Sequence, residues 1–174
     1  MENKNPLEFS LNFEIKGANL YLKLAGKTKN QLSKHLFYTL AKQEIEHAQR
    51  FDEIYRSMIE QPHVKKMQLK AKNSDEVKNQ LKEFFIKSEK TYLKQKSGDV
   101  SEYNLAMEME EKSIKTYNDF LKQAGNEAEK EFFQQLINEE KQHLEALRNT
   151  CFYLTSSGDW FEKEESKIWN WMNI

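Results

Sequence analysis

Only one cysteine, Cys151, occurs in the 174 residues. That excludes an internal disulfide, leaves too little sulfur for a cysteine-ligated metal, and fits a reducing cytoplasm. Glycine (5) and proline (2) are scarce as well. With Leu, Lys, Glu and Gln abundant, the expectation is a mostly helical chain of one ordinary-sized domain, long enough to bury a core. No run of about 18 apolar residues is present, so no membrane-spanning helix is expected. The opening MENKNPLEFS lacks a basic-then-apolar export pattern, so a soluble, cytoplasmic protein is expected. Charge of one sign is also missing. Lys and Arg number 27 against 28 Asp and Glu, which gives no electrostatic reason to expect nucleic acid or an anionic membrane as partner.

What is there is helical periodicity. Asn5-Pro6 looks like an N-cap followed by proline at the first helical position, and the pattern then predicts a helix over about 6–26. A long second helix is predicted over 31–59, stopped at Gln61-Pro62. Residues 60–73 are a polar, Lys-rich connection. Ser74 caps a shorter helix near 75–96, with Val77, Leu81, Phe84 and Phe85 on one face and Gly98 after it. A third helix is predicted from 99–101 to about 123 and a fourth over 126–154. Ser156-Ser157-Gly158-Asp159 then breaks the chain. The tail 155–174 carries Trp160, Trp169 and Trp171, and is expected to pack on the bundle or on a second subunit.

The chemistry sits in a repeat. Glu44-Ile45-Glu46-His47 recurs 96 residues later as Glu140-Lys141-Gln142-His143. The same offset carries Glu14 to Glu110, Tyr21 to Tyr117, Phe37 to Phe133 and Leu40 to Leu136. All six acidic and imidazole residues fall on apolar stripes recurring at three- and four-residue steps, where an unpaired carboxylate or imidazole is costly. Glu14 and Glu44 lie equally far from the turn near residue 29, and Glu110 and Glu140 equally far from Gly125. At about 1.5 Å per residue each pair sits roughly 22 Å from its turn. Two antiparallel hairpins packed side by side would therefore bring four Glu and two His into one layer.

Such oxygen and nitrogen donors suit iron or manganese, accept zinc, and suit calcium poorly. Two divalent ions would neutralise four ionised carboxylates, which would otherwise repel one another. Residues three apart share a helix face, so each Glu-x-x-His can reach one ion. Which carboxylates bridge and which are terminal stays open at this level. Tyr21 and Tyr117 read equally well as core packing or as hydrogen-bond donors to ligand carboxylates. Glu46, Glu108, Glu111 and Glu139 fall off the stripe or out of register, and are read as solvent-facing. His35 is read as surface, and Pro62 argues against Glu60 and His63 as a helical ligand pair.

The residues Phe13-Glu14 with Tyr21, Leu40 to Ala48, Met109-Glu110 with Tyr117, and Leu136 to His143 together resemble the rubrerythrin branch of the ferritin-like superfamily. The resemblance covers residues 6–154. It implies an all-α, ferritin-like four-helix bundle of two antiparallel hairpins, with a helical crossover over 60–98. It also implies two iron ions held by Glu14, Glu44, His47, Glu110, Glu140 and His143, redox chemistry with peroxide or dioxygen, and often a homodimer. Rubrerythrins proper carry a four-cysteine rubredoxin-like domain that feeds in electrons, so here the donor would be another protein. Ser113 stands where rubrerythrins have an extra carboxylate three residues after the third ligand Glu. The alternatives are an iron-binding ferroxidase or storage protein, and a non-catalytic bundle that binds zinc, manganese or nothing.

Overall fold

The computed structural model describes residues 6–60 and 100–155. Four helices account for them: α1 Pro6–Lys27, α2 Gln31–Glu60, α3 Val100–Gln123 and α4 Glu127–Thr155. These bounds fall within a residue or two of the predicted ones, and no strand occurs among the described residues. The predicted helix near 75–96 and the Trp-rich tail lie outside the described residues. No described helix is long and apolar enough to cross a membrane.

Each hairpin is closed by the same device, 96 residues apart. Asn30 caps α2, its Oδ1 accepting the Ser33 amide at 2.9 Å. Asn126 caps α4, its Oδ1 accepting the Glu129 amide at 3.0 Å. The Glu129 carboxylate reaches back to the Gly125 amide at 2.6 Å and to the Asn126 side chain at 2.8 Å. This reciprocal exchange satisfies amides that have no acceptor inside the helix. Asn126→Ala is expected to cost about 1 kcal/mol, lowering the thermal midpoint by roughly 2–4 °C for a chain of this size. Calorimetry on the full chain checks it.

α1 packs along α2 and α3 along α4, with α1 meeting α3 and α2 meeting α4 across the middle, so the two hairpins form a four-helix bundle. The apolar stripes fill it as two clusters. Toward the α1–α2 turn, Tyr21, Leu24, Leu36, Phe37, Leu40, Tyr103 and Leu147 pack together, and the Tyr103 hydroxyl donates to Ser33 Oγ at 2.7 Å. Toward the other end, Leu7, Phe51, Tyr117, Phe120, Phe133, Leu136 and Ile137 form the second cluster. Its rings meet at centroid distances of 5.6 Å for Phe120 with Phe133 and 6.0 Å for Phe51 with Tyr117. Cys151 is buried at the edge of the first cluster, the packing role its place on the stripe predicted. The level between the two clusters is occupied by polar residues.

Candidate metal centre

Glu14 from α1, Glu44 and His47 from α2, Glu110 from α3, and Glu140 and His143 from α4 meet in that level, none more than 2% exposed. Their donor atoms form two quartets, each close enough to surround one ion. One consists of Glu14, Glu44, His47 and Glu140; the other consists of Glu44, Glu110, Glu140 and His143. Glu44 and Glu140 belong to both. Were each quartet to take one ion, Glu44 and Glu140 would span the two positions, while Glu14 and Glu110 would each serve one.

The distances express the same pseudo-symmetry. His47 Nδ1 lies 3.4 Å from Glu14, 3.6 Å from Glu44 and 3.1 Å from Glu140. His143 Nδ1 lies 3.4 Å from Glu44, 3.6 Å from Glu110 and 3.5 Å from Glu140. The two imidazoles are parallel within 10°, their centroids 5.4 Å apart. Both oxygens of Glu14 and of Glu140, Oε1 of Glu44 and Oε2 of Glu110 are buried without a well-aligned hydrogen bond. Buried carboxylate oxygens are rarely left so, because each gives up water for nothing. Oxygens and nitrogens left open toward two shared points are what a pair of hard-to-intermediate cations needs, so the residues fit a dinuclear metal centre.

Without cations the cluster balances itself with protons. Burial first, then the charge of Glu44, pushes the Glu14 carboxyl well up. Burial and the charges of Glu140 and Glu44 do the same to Glu110. For Glu140 burial is outweighed by contacts with His143 and His47, which hold it well below the usual carboxylate range. For Glu44 burial is likewise outweighed, by contacts with Glu14, His143 and His47. Desolvation works against charge on both imidazoles, but the carboxylates around them prevail and raise His47 and His143 well above the ordinary histidine range. Two imidazolium ions thus face two carboxylates, with two neutral carboxyls beside them.

The surroundings of the two quartets differ. Tyr21 donates its hydroxyl to Glu110 Oε1 across the bundle, and burial raises its pKa, keeping it a donor. Tyr117, its partner in the repeat, is fully buried among Phe51, Phe120 and Phe133, and its hydroxyl has no hydrogen-bond partner among the described residues. Of two residues that read alike in sequence, Tyr21 therefore holds a carboxylate of the cluster and Tyr117 packs. Ser113 is fully buried one turn beyond Glu110, its hydroxyl also without a partner.

Glu139 corrects the sequence reading. It was expected to face solvent, as Glu46, Glu108 and Glu111 do. Instead its Oε2 lies 3.0 Å from His47 Nε2, and Arg50 grips both its oxygens, at 3.3 and 2.5 Å. Partial burial is outweighed by His47 and Arg50, which hold the carboxylate at about 2. A carboxylate behind a ligating imidazole fixes its tautomer and aims the other nitrogen at the metal. The 96-residue repeat hides this, because Gln43 occupies the equivalent position. The signal that could have found it is the short reach from Arg50 on a neighbouring helix. Glu139→Gln is expected to weaken metal retention by about 10–100-fold, as measured by competition with a chelator.

No curated protein and no solved structure matches the chain at a significant level. The family model Rubrerythrin matches residues 5–151, a span that contains every residue of both quartets, and the match together with the buried carboxylate and imidazole cluster suggests a di-iron centre. With the four helices, the paired Glu-x-x-His turns and the match all in agreement, the chain belongs to the rubrerythrin family.

Proposed function

We propose that this chain is a di-iron oxidoreductase of rubrerythrin type, reducing peroxide or reacting with dioxygen with electrons from a separate donor protein. The observation that carries the reading is the pair of buried quartets sharing Glu44 and Glu140. Two ferrous ions bound there would supply the two electrons that peroxide reduction requires. The chain's own part is to hold and shield. Glu44 and Glu140 fix the spacing of the two positions, and His47 and His143 each add a neutral nitrogen donor once deprotonated. Tyr21 restrains Glu110, and Arg50 with Glu139 restrains His47. The aromatic clusters on both sides keep bulk water from the layer, so charge changes there are felt at low effective dielectric.

The test is elemental analysis of protein purified anaerobically without added metal, followed by absorption spectra before and after peroxide. About two irons per chain, with a ferric band growing on peroxide and bleaching when a reductant is supplied, is the expected result. Zinc alone would sink the redox reading. Iron that oxidises once, in a closed shell of many subunits, would move the function to storage.

A further inference from the structure

The 96-residue repeat that places the two quartets does not extend to the residues beside them. Glu139 precedes Glu140, but its counterpart before Glu44 is Gln43. Arg50 follows His47 by three residues, but its counterpart after His143 is Ala146. One imidazole therefore has a carboxylate and a guanidinium at hand, and the corresponding places around the other hold an amide and a methyl group.

The contacts give this difference a direction. His47 turns Nδ1 toward Glu14, Glu44 and Glu140, at 3.1 to 3.6 Å, and its Nε2 lies 3.0 Å from Glu139 Oε2. Arg50 holds both Glu139 oxygens, at 3.3 and 2.5 Å, so the carboxylate is fixed against the ring. Arg50 offsets part of the charge, yet the atom facing Nε2 is still an anionic oxygen, and hydrogen bonds to such acceptors are about twice as strong as neutral ones. A carboxylate that accepts from a ligand imidazole makes the nitrogen facing the metal a better donor. Gln43 does not repeat this. Its Oε1 is buried with no hydrogen-bond partner among the described residues, so it takes up no N–H from His143.

The carboxylates that the quartets do not share differ in the same sense. Both oxygens of Glu14 are open, whereas Tyr21 donates to Oε1 of Glu110 and leaves only Oε2. An oxygen that already accepts from a phenol is less basic and has less to give a cation.

We propose that the two positions are unequal: the one at His47 binds a divalent ion about 10–100-fold more tightly than the one at His143 and fills first, with Glu139, anchored by Arg50, as the positioning residue. The order of filling needs the dinuclear centre of the proposed function but not its redox chemistry. When metal is limiting, the chain then carries a single ion at the His47 position.

Cobalt(II)-loaded, full-length protein equilibrated anaerobically with graded chelator reads the order. The wild type is expected to release about two ions per chain in two steps, about 10–100-fold apart in affinity. Glu110→Ala, which keeps the whole His47 quartet, should hold one ion with an affinity near the tighter step. Glu14→Ala, which keeps the whole His143 quartet, should hold one ion near the weaker step. Adding Glu139→Gln should weaken the Glu110→Ala protein by about 10–100-fold and leave the Glu14→Ala protein nearly unchanged. Gln43→Glu should tighten the Glu14→Ala protein by about 10-fold, a gain that damage to the fold cannot produce. Equal constants in the two single-position proteins, tighter binding at His143, or a Glu139→Gln loss of the same size at both positions overturns the proposal. A wild type that never holds more than one ion overturns the dinuclear centre and the order with it. Two unequal positions whose iron ignores peroxide would end the redox reading alone.

Discussion

Replacing Glu140 with alanine is expected to strip both metal ions from the chain, whereas replacing Glu14 is expected to remove only one. The difference follows from membership. Glu140 contributes to both quartets, and Glu14 only to the one containing His47. Loss of Glu140 also leaves His47 Nδ1, 3.1 Å away, and His143 Nδ1, 3.5 Å away, without one of the two carboxylates they share. Two imidazolium ions would then share Glu44 within the layer, with Glu139 behind His47 only, and uncompensated buried charge of this kind costs about 3–5 kcal/mol. Glu140→Gln keeps the volume and removes only the charge, so it separates lost coordination from a failed fold. Elemental analysis after dialysis against a weak chelator should read about two metals per chain for wild type, about one for Glu14→Ala and near none for either Glu140 variant. Two metals retained by Glu140→Gln would mean that the shared-carboxylate assignment is wrong.

Binding of two divalent ions is expected to release about four protons, so that metal affinity climbs steeply with pH. The count comes from the groups whose pKa is raised. Glu14 and Glu110 are held neutral by burial and by the neighbouring charges, and His47 and His143 are held protonated by the carboxylates around them. All four must lose a proton to present lone pairs, while Glu44 and Glu140 are already ionised. The exchange is electroneutral: two imidazolium and two carboxylate charges cancel before it, four carboxylates and two divalent cations after it. That avoids leaving net charge in the core, the costliest alternative. The sign is set by raised values. Below them the protonated, metal-free cluster is favoured, and as pH rises toward them metal wins, by up to about 10,000-fold per unit for the pair where all four protons leave together. Calorimetric titration in buffers of different ionisation enthalpy counts the protons directly. A count near zero would show that the cluster is already deprotonated and waiting.

The sequence alone determined the four helices of the bundle and the six residues that meet in the buried layer. It could do so because those depend on local rules: three-residue spacing puts Glu44 with His47 and Glu140 with His143 on one face, equal distance from a turn sets equal height, and the 96-residue offset duplicates both. Tertiary structure alone decided what breaks the duplication. Whether Glu44 and Glu140 are shared, whether Tyr21 reaches a carboxylate while Tyr117 packs, and whether Glu139 meets solvent or His47 all turn on how one helix is rotated against another. A side chain a few tens of degrees off the inward stripe is solvated on an isolated helix and inside a contact once its neighbour arrives, as Arg50 does for Glu139. Periodicity fixes the angle of a residue about its own axis; only packing fixes what stands opposite.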